Sequence, residues 1–214
     1  MLRYLYADQL KTRPDLARAM FADRAHQFKT RQGWDVTVDA DGAERDSYDA
    51  MNPLYVIWET PQGAHGGSMR FLPTTGAVMV NDHFGHLTGG VTISSPLIWE
   101  CTRFCLAPGA GAHVAAALML AGGEIMQGFA IDHFVGVFDA RMERIYRRIG
   151  AAPEVLGTEG EGRDRISVGL WAFDRASQAR VAARAGIAPA LSRMWFDRAF
   201  GADAARGEYH AKTG

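Results

Sequence analysis

The sequence predicts an α/β sandwich around one mixed sheet. Short runs rich in β-branched and aromatic residues alternate along the chain with segments whose apolar residues recur at helical spacing. Helices therefore fall between strands, the order that covers a mixed sheet on both faces. The length of 214 residues, with 48% hydrophobic and 22% charged residues, suits one ordinary globular domain.

The first helix is expected over residues 16–28. Ala17, Met20, Phe21, Ala25 and Phe28 recur at helical spacing, and Pro14-Asp15 supply the start signal. Residues 30–49 are polar and contain the turn pair Asp41-Gly42, so a mobile loop with little regular structure is expected. After Asn52-Pro53, residues 54–59 and 64–72 read as two strands of a hairpin joined at Pro61-Gln62-Gly63. Residues 97–106 are the best candidate for a central buried strand. The turn Pro108-Gly109-Ala110-Gly111 then leads into a helix of small residues over 112–127. A strand over 129–137, a helix over 140–149 closed by Gly150, a late strand over 166–173 and helices over 178–184 and 189–200 complete the order. The tail after Gly201 is expected to fray. The chain reads as a single domain, residues 1–214, with a mobile substrate-binding region at about 16–50 and a C-terminal extension at about 176–214.

Charge and composition exclude several classes. Lys+Arg is 23 and Asp+Glu is 24, a net charge of −1. Without a long basic run this argues against nucleic acid, whose binding depends on neutralised phosphates. Cys101 and Cys105, four residues apart on a strand, would lie about 13 Å from each other, too far for a disulfide. They read as reduced thiols, and His113 alone does not complete a zinc site, so no metal is expected. Arg3, Asp8, Lys11, Arg13 and Asp15 break up the N-terminal apolar residues, which excludes a signal peptide. Residues 110–125 fall short of the ~20 needed to span a bilayer and contain His113 and Glu124. A cytoplasmic protein without a membrane span is expected.

Two groups of residues carry chemistry. Arg24 and Phe28 lie four apart on one helix face, and Trp34, Asp46 and Asp49 follow in the polar segment. Carboxylates bind an ammonium, arginine binds a carboxylate, and aromatic faces attract a sulfonium, so the set suits a zwitterion with an extra cationic centre. The second group is Arg70, near the end of the second hairpin strand, with Glu100 and Arg103 inside the most apolar strand. Charges are almost never buried unpaired. One reading is a structural ion pair such as Arg70 with Glu100; the other is a polar site at mid-strand. Alternation puts Glu100 and Arg103 on opposite faces, and a bulge would return them to one. An irregularity is expected there.

Arg24, Phe28, Trp34, Asp46, Asp49, Arg70, Glu100 and Arg103 together resemble the charged and aromatic signature of the acyl-homoserine lactone synthases, the quorum-sensing autoinducer synthases. The stretches that carry it are residues 24–34, 46–49, 67–74 and 99–104, and the likeness runs in order over roughly residues 1–175. The resemblance implies a GNAT-like three-layer α-β-α sandwich. It also implies a reaction in which S-adenosylmethionine, a substrate and not a cofactor, receives an acyl group from acyl carrier protein or acyl-CoA, then lactonises with loss of methylthioadenosine. It implies Glu100 as general base and Arg24 and Arg103 as partners of the methionine carboxylate. Asp46 and Asp49 would hold the ammonium or order the loop through Arg70, while Phe28 and Trp34 would cover the sulfonium and adenine.

An acyl chain needs an apolar slot, for which Val80, Phe84, Leu118, Met126, Phe134, Gly136 and Val137 are candidates; ordinary core is the plainer reading of each. Relatives that make 3-oxo products tend to carry a threonine where this chain has Gly136, so an unsubstituted or 3-hydroxy acyl group is expected. Arg141, Arg144, Arg147 and Arg148 form one helix face suited to an acidic carrier protein or simply to solvent. The pyrophosphate loop of GNAT enzymes has no clear counterpart, which favours carrier protein as donor. A non-catalytic sensor and an acyltransferase for another amine are the alternatives. Glu100 argues against the first, and Trp34 with Asp46 and Asp49 against the second.

Overall fold

A computed structural model describes residues 1–201. In chain order the elements are β1 (Leu2–Tyr6), α1 (Ala7–Leu10), α2 (Pro14–Ala25), β2 (Leu54–Glu59), β3 (His65–Pro73), α3 (Met79–Phe84), β4 (Ile98–Leu106), α4 (Ala112–Gly128), β5 (His133–Asp139), α5 (Ala140–Ile149), β6 (Glu154–Glu159), β7 (Ile166–Ala172), α6 (Arg175–Ala185) and α7 (Pro189–Phe200). The sheet order is β1-β2-β3-β4-β5-β7-β6. Only β4 and β5 are parallel, and α4 makes the crossover between them.

The sheet is covered on both faces, so β2 reads as a continuous apolar run. Leu54 and Val56 join Met69, Phe71 and the apolar side of α4 in the largest core, which α6 and Phe196 of α7 complete. Tyr55 and Ile57 point the other way, against Met20 and Phe21 of α2. On that same side Leu72, Val80 and Val135 form a third cluster beneath α3. This is the expected α-β-α sandwich. The aromatic residues of the C-terminal extension pack on its body: Phe196 meets Tyr4 edge-on at 5.4 Å, and Phe200 meets Phe129 at 4.8 Å.

Four elements lie outside the sequence reading, among them the single-turn α1. In β1 only Leu2 and Tyr4 face the core, and Arg3 between them pairs with Glu59. The β6 strand is a solvent-exposed edge without an apolar face. The short α3 follows turn residues that mask its start. The strand expected from residue 129 begins instead at His133, because Phe129 still caps α4 and Ala130 turns the chain at φ 53°. The expected fraying after Gly201 concerns residues outside those described.

Residues 30–49 depart most from expectation. The first helix continues past Ala25 as a π-helical turn, His26–Arg31. Val38 then bridges Glu44, the Glu44 N–H donates to the Phe21 carbonyl at 3.1 Å, and Ser47–Met51 form a 3-10 helix capped by Asp46. Local propensity gives no sign of this order because buried ion pairs supply it.

Candidate active site

The site is created by two irregularities in the middle of the sheet. Along β3–β4, Ser68 pairs with Cys105 and Arg70 with Thr102, so two steps on β3 oppose three on β4. The extra residue is accommodated at Arg103, a non-glycine residue at φ 54°. The expected irregularity thus falls on Arg103 itself. Glu100, Thr102 and Arg103 all meet groups on the α2–α3 side, while Cys101 meets Met69 in the opposite layer. The second irregularity is a splay. The β4–β5 pairing runs only from Ile98–His133 to Glu100–Val135, although both strands continue.

A cavity opens on each side of this splay. The first, called the polar cavity for its Arg103 guanidinium although most of its lining is aromatic or apolar, is about 170 Å³ and is bordered by Phe28, Trp34, Met79, Phe84, Thr102 and Arg103 among others. The second, called the apolar cavity for its walls on β5 and α4, is about 110 Å³ and is lined by Met126, Phe134, Gly136, Cys101 and Trp171 among others, with Asp174, Ser177 and Gln178 at its α6 end. Val137 and Tyr146 line both. Trp34 stacks on Phe28 with ring centres 5.2 Å apart, and the Arg103 guanidinium lies 5.5 Å over Phe28.

Of the seven residues proposed for the apolar slot, Met126, Phe134, Gly136 and Val137 line it. The other three are corrections. Val80 belongs to the α3 cluster, Leu118 is fully enclosed in the core, and Phe84 faces the polar cavity. Their apolar character reflects burial, which composition cannot separate from cavity lining.

Beside the polar cavity lies a network of three guanidiniums and three carboxylates. Arg24 donates from Nε to Glu44 at 2.6 Å and bidentately to Asp49 at 2.9 Å. Arg70 pairs with Asp46, with Asp49 at 2.9 Å and with the Thr102 hydroxyl at 3.0 Å. Arg103 reaches Glu44 at 2.9 Å and Asp46 at 2.7 Å. Burial opposes ionisation of Arg24, but Asp49 and Glu44 outweigh it and raise its pKa; burial likewise opposes ionisation of Asp49, and Arg24 and Arg70 hold its pKa low. Next to Arg24, Asp23 anchors α2 to β3 through His65 at 2.6 Å. Arg24, Asp46, Asp49 and Arg70 therefore knit the loop to the sheet, while Arg103 alone of the network lines the cavity.

Sequence reasoning missed Glu44. It is fully buried and ties Arg24 to Arg103. Its place in a polar loop concealed it, and charge balance gave no signal, because Arg24, Arg70 and Arg103 were already matched in number by Asp46, Asp49 and Glu100.

Glu100 is 1% exposed and does not pair with Arg70. Its carboxylate accepts the N–H groups of Met79 at 3.1 Å and Val80 at 2.6 Å, the first residues of α3. Burial pushes its pKa up to about 7, against the pull of those two donors. It lines neither cavity, but Met79, whose N–H it accepts, and Thr102, two residues along β4, both border the polar one. Arg141, Arg144, Arg147 and Arg148 are all exposed on α5, and Arg147 turns to Glu143 at 2.8 Å.

A mixed sheet splayed at its parallel pair, with a cavity on either side, defines a GNAT-like acyltransferase fold. The chain belongs to the autoinducer synthase family, whose model matches residues 8–181. An acyl-homoserine-lactone synthase of Rhizobium etli is 41% identical over 178 residues, covering 80% of this chain and 84% of the relative. The crystal structure of the AHL synthase LasI superposes with a TM-score of 0.75 at 25% identity, covering 86% of this chain and 94% of LasI. BjaI, a CoA-dependent acyl-homoserine lactone synthase solved with SAM and isopentyl-CoA, shares the fold with a TM-score of 0.76 at 23% identity, covering 87% of this chain and 90% of BjaI.

Proposed function

We propose that the chain makes an acyl-homoserine lactone from S-adenosylmethionine and an acyl group carried on acyl carrier protein. The observation that carries this reading is the meeting, at the β4–β5 splay, of an aromatic cavity that holds the Arg103 guanidinium and a second cavity walled by apolar residues of β5 and α4, with Val137 and Tyr146 common to both. S-adenosylmethionine occupies the polar side. Phe28 and Trp34 cover its cationic sulfur, and Arg103 takes its carboxylate. The acyl chain occupies the apolar side, which brings the thioester carbonyl to the gap.

The ammonium first loses a proton. Glu100 accepts it through water, since the carboxylate is buried and bonded to Met79, which borders the cavity, without bordering it itself. The free amine attacks the thioester carbonyl, a C–N bond forms, and the carrier thiol leaves with a proton. The methionine carboxylate then attacks its own γ-carbon. The C–O bond closes the lactone as the C–S bond breaks, and methylthioadenosine leaves as a neutral thioether. Arg24, Asp46, Asp49 and Arg70 hold the loop that presents Trp34. The proposal places the reaction in the cytoplasm; no helix among the described residues is long and apolar enough to cross a membrane.

The test is incubation of the purified chain with S-adenosylmethionine and a panel of acyl carriers and acyl-CoAs. One methylthioadenosine per lactone is expected, carrying an unsubstituted or 3-hydroxy acyl group by mass spectrometry. No methylthioadenosine from any donor overturns the reading, and mainly short 3-oxo products overturn the acyl assignment. Acyl-CoA is the alternative donor, as named for BjaI.

Two variants probe the donor side. Gly136→Thr places a Cβ 2.8 Å from the Cys101 carbonyl and 3.3 Å from the Trp171 ring, so the backbone must shift at a position that lines the slot. Overpacking of this kind costs about 1–3 kcal/mol, roughly a tenfold loss or more, and it should fall on long-chain donors first in a product profile. Charge reversal at Arg144 and Arg148 should raise the Michaelis constant for a carrier-bound donor by about tenfold and leave that for S-adenosylmethionine unchanged. Equal constants would remove α5 as the docking face.

A further inference from the structure

The apolar cavity ends against α6. Phe173, Asp174, Ser177, Gln178 and Val181 line that end, and of these Phe173 and Gln178 also line a separate cleft between α4, α6 and α7 that contains Glu124 and Arg193. Among the described residues no other side chain borders both spaces. Gln178 donates from Nε2 to the Leu120 carbonyl at 3.2 Å, which fixes its amide across the gap. Opposite it α4 carries Gly123, where a Cβ would overlap that amide. Glycine is a poor choice inside a helix, and here it makes the seat for Gln178.

We propose that Gln178, backed by Phe173, is the wall that sets the upper length of the acyl group. The proposal rests on reading the apolar cavity as the acyl site. A chain that fits ends its terminal methyl against the wall. A longer one must displace the amide from the Leu120 carbonyl and push apolar carbon toward the charged groups of the cleft. Both steps oppose entry. With the side chain removed, cavity and cleft join into one passage, and a longer tail passes along the groove between α4 and α6.

The test offers the chain and its variants an equimolar mixture of straight-chain acyl carriers of increasing even length, with lactones resolved by mass spectrometry. Gln178→Ala should extend the product range by at least one two-carbon step. The ratio of the first excluded length to the longest wild-type product should rise about tenfold, the scale of one or two methylenes in an apolar pocket. Rates with short donors and the Michaelis constant for S-adenosylmethionine should not change. Gln178→Leu restores the bulk without the amide and should keep the wild-type limit. Phe173→Leu thins the same wall and should extend the range even where Gln178→Ala fails to fold. An unchanged length distribution in active, folded Gln178→Ala or Phe173→Leu protein overturns the proposal. A wild-type chain that makes no lactone overturns the synthase reading instead. Calorimetric titration with hexadecanoate then decides the wall: tighter binding by Gln178→Ala supports it, and equal affinities refute it.

Discussion

Glu100→Gln should lower kcat/KM by about 10²–10⁴-fold, the usual contribution of a positioned general base, and leave the affinity for S-adenosylmethionine nearly unchanged. The amide preserves volume and can still accept a backbone N–H, but it cannot take the proton from the ammonium. The pH profile carries the same signature. With the Glu100 pKa pushed up to about 7, the ionised base is lost as pH falls through neutrality, so kcat/KM should decline on that side. Stability should move the opposite way. Between its ordinary 4.5 and about 7, folded Glu100 holds a proton that the unfolded chain has released. Stability therefore falls as pH rises through that window. The depressed pKa of Asp49 acts elsewhere: its stabilisation is lost only as pH drops below the ordinary 3.8. Thermal unfolding of the wild type between pH 5 and 8 should slope downward, and Glu100→Gln should flatten it.

The second large effect is expected at Glu44. Glu44→Ala leaves Arg24 and Arg103 without the carboxylate between them, in a place where Arg24 is 1% exposed and Glu44 0%. Arg24 keeps Asp49 and Arg103 keeps Asp46, so the loss lies below the about 3–5 kcal/mol of an uncompensated buried charge and near that of lost hydrogen bonds to charged groups, about 2–3 kcal/mol. Urea unfolding should show a loss of that order. Glu44→Gln retains an acceptor oxygen and should lose less. Turnover should fall too, because Glu44 orients Arg103 at the cavity and holds the loop that carries Trp34. A Michaelis constant for S-adenosylmethionine that rises while the folded fraction is intact would separate this positioning from stability. Surface pairs such as Arg18–Asp15 are too exposed to give a comparable effect.

Much of this was legible in the residues. The mostly apolar runs at 54–59 and 97–106 located β2 and β4 within a residue, because both strands are covered on two faces. The charges inside β4 marked the site, since buried charge requires a partner. The partners themselves were not legible. Arg70 was offered Glu100, two register pairs along, and takes Asp46 and Asp49 instead, because the loop folds back over the sheet and Glu100 is claimed by α3. The order in that loop arises from contacts 20 to 59 residues apart in sequence, and no local pattern encodes them. The apolar slot was only half found for a related reason. A residue that lines a cavity and one that fills the core obey the same periodicity, and the splay after Glu100–Val135 separates them.

The account is tested most directly by a crystal structure of the chain with S-adenosylmethionine bound. The ligand should lie with its sulfur against Phe28 and Trp34, its carboxylate on Arg103, and its amine at the gap beside Val137 and Tyr146, with an ordered water leading from the amine to Glu100. An amine turned away from the gap, or a Glu100 carboxylate that no water reaches, would contradict it.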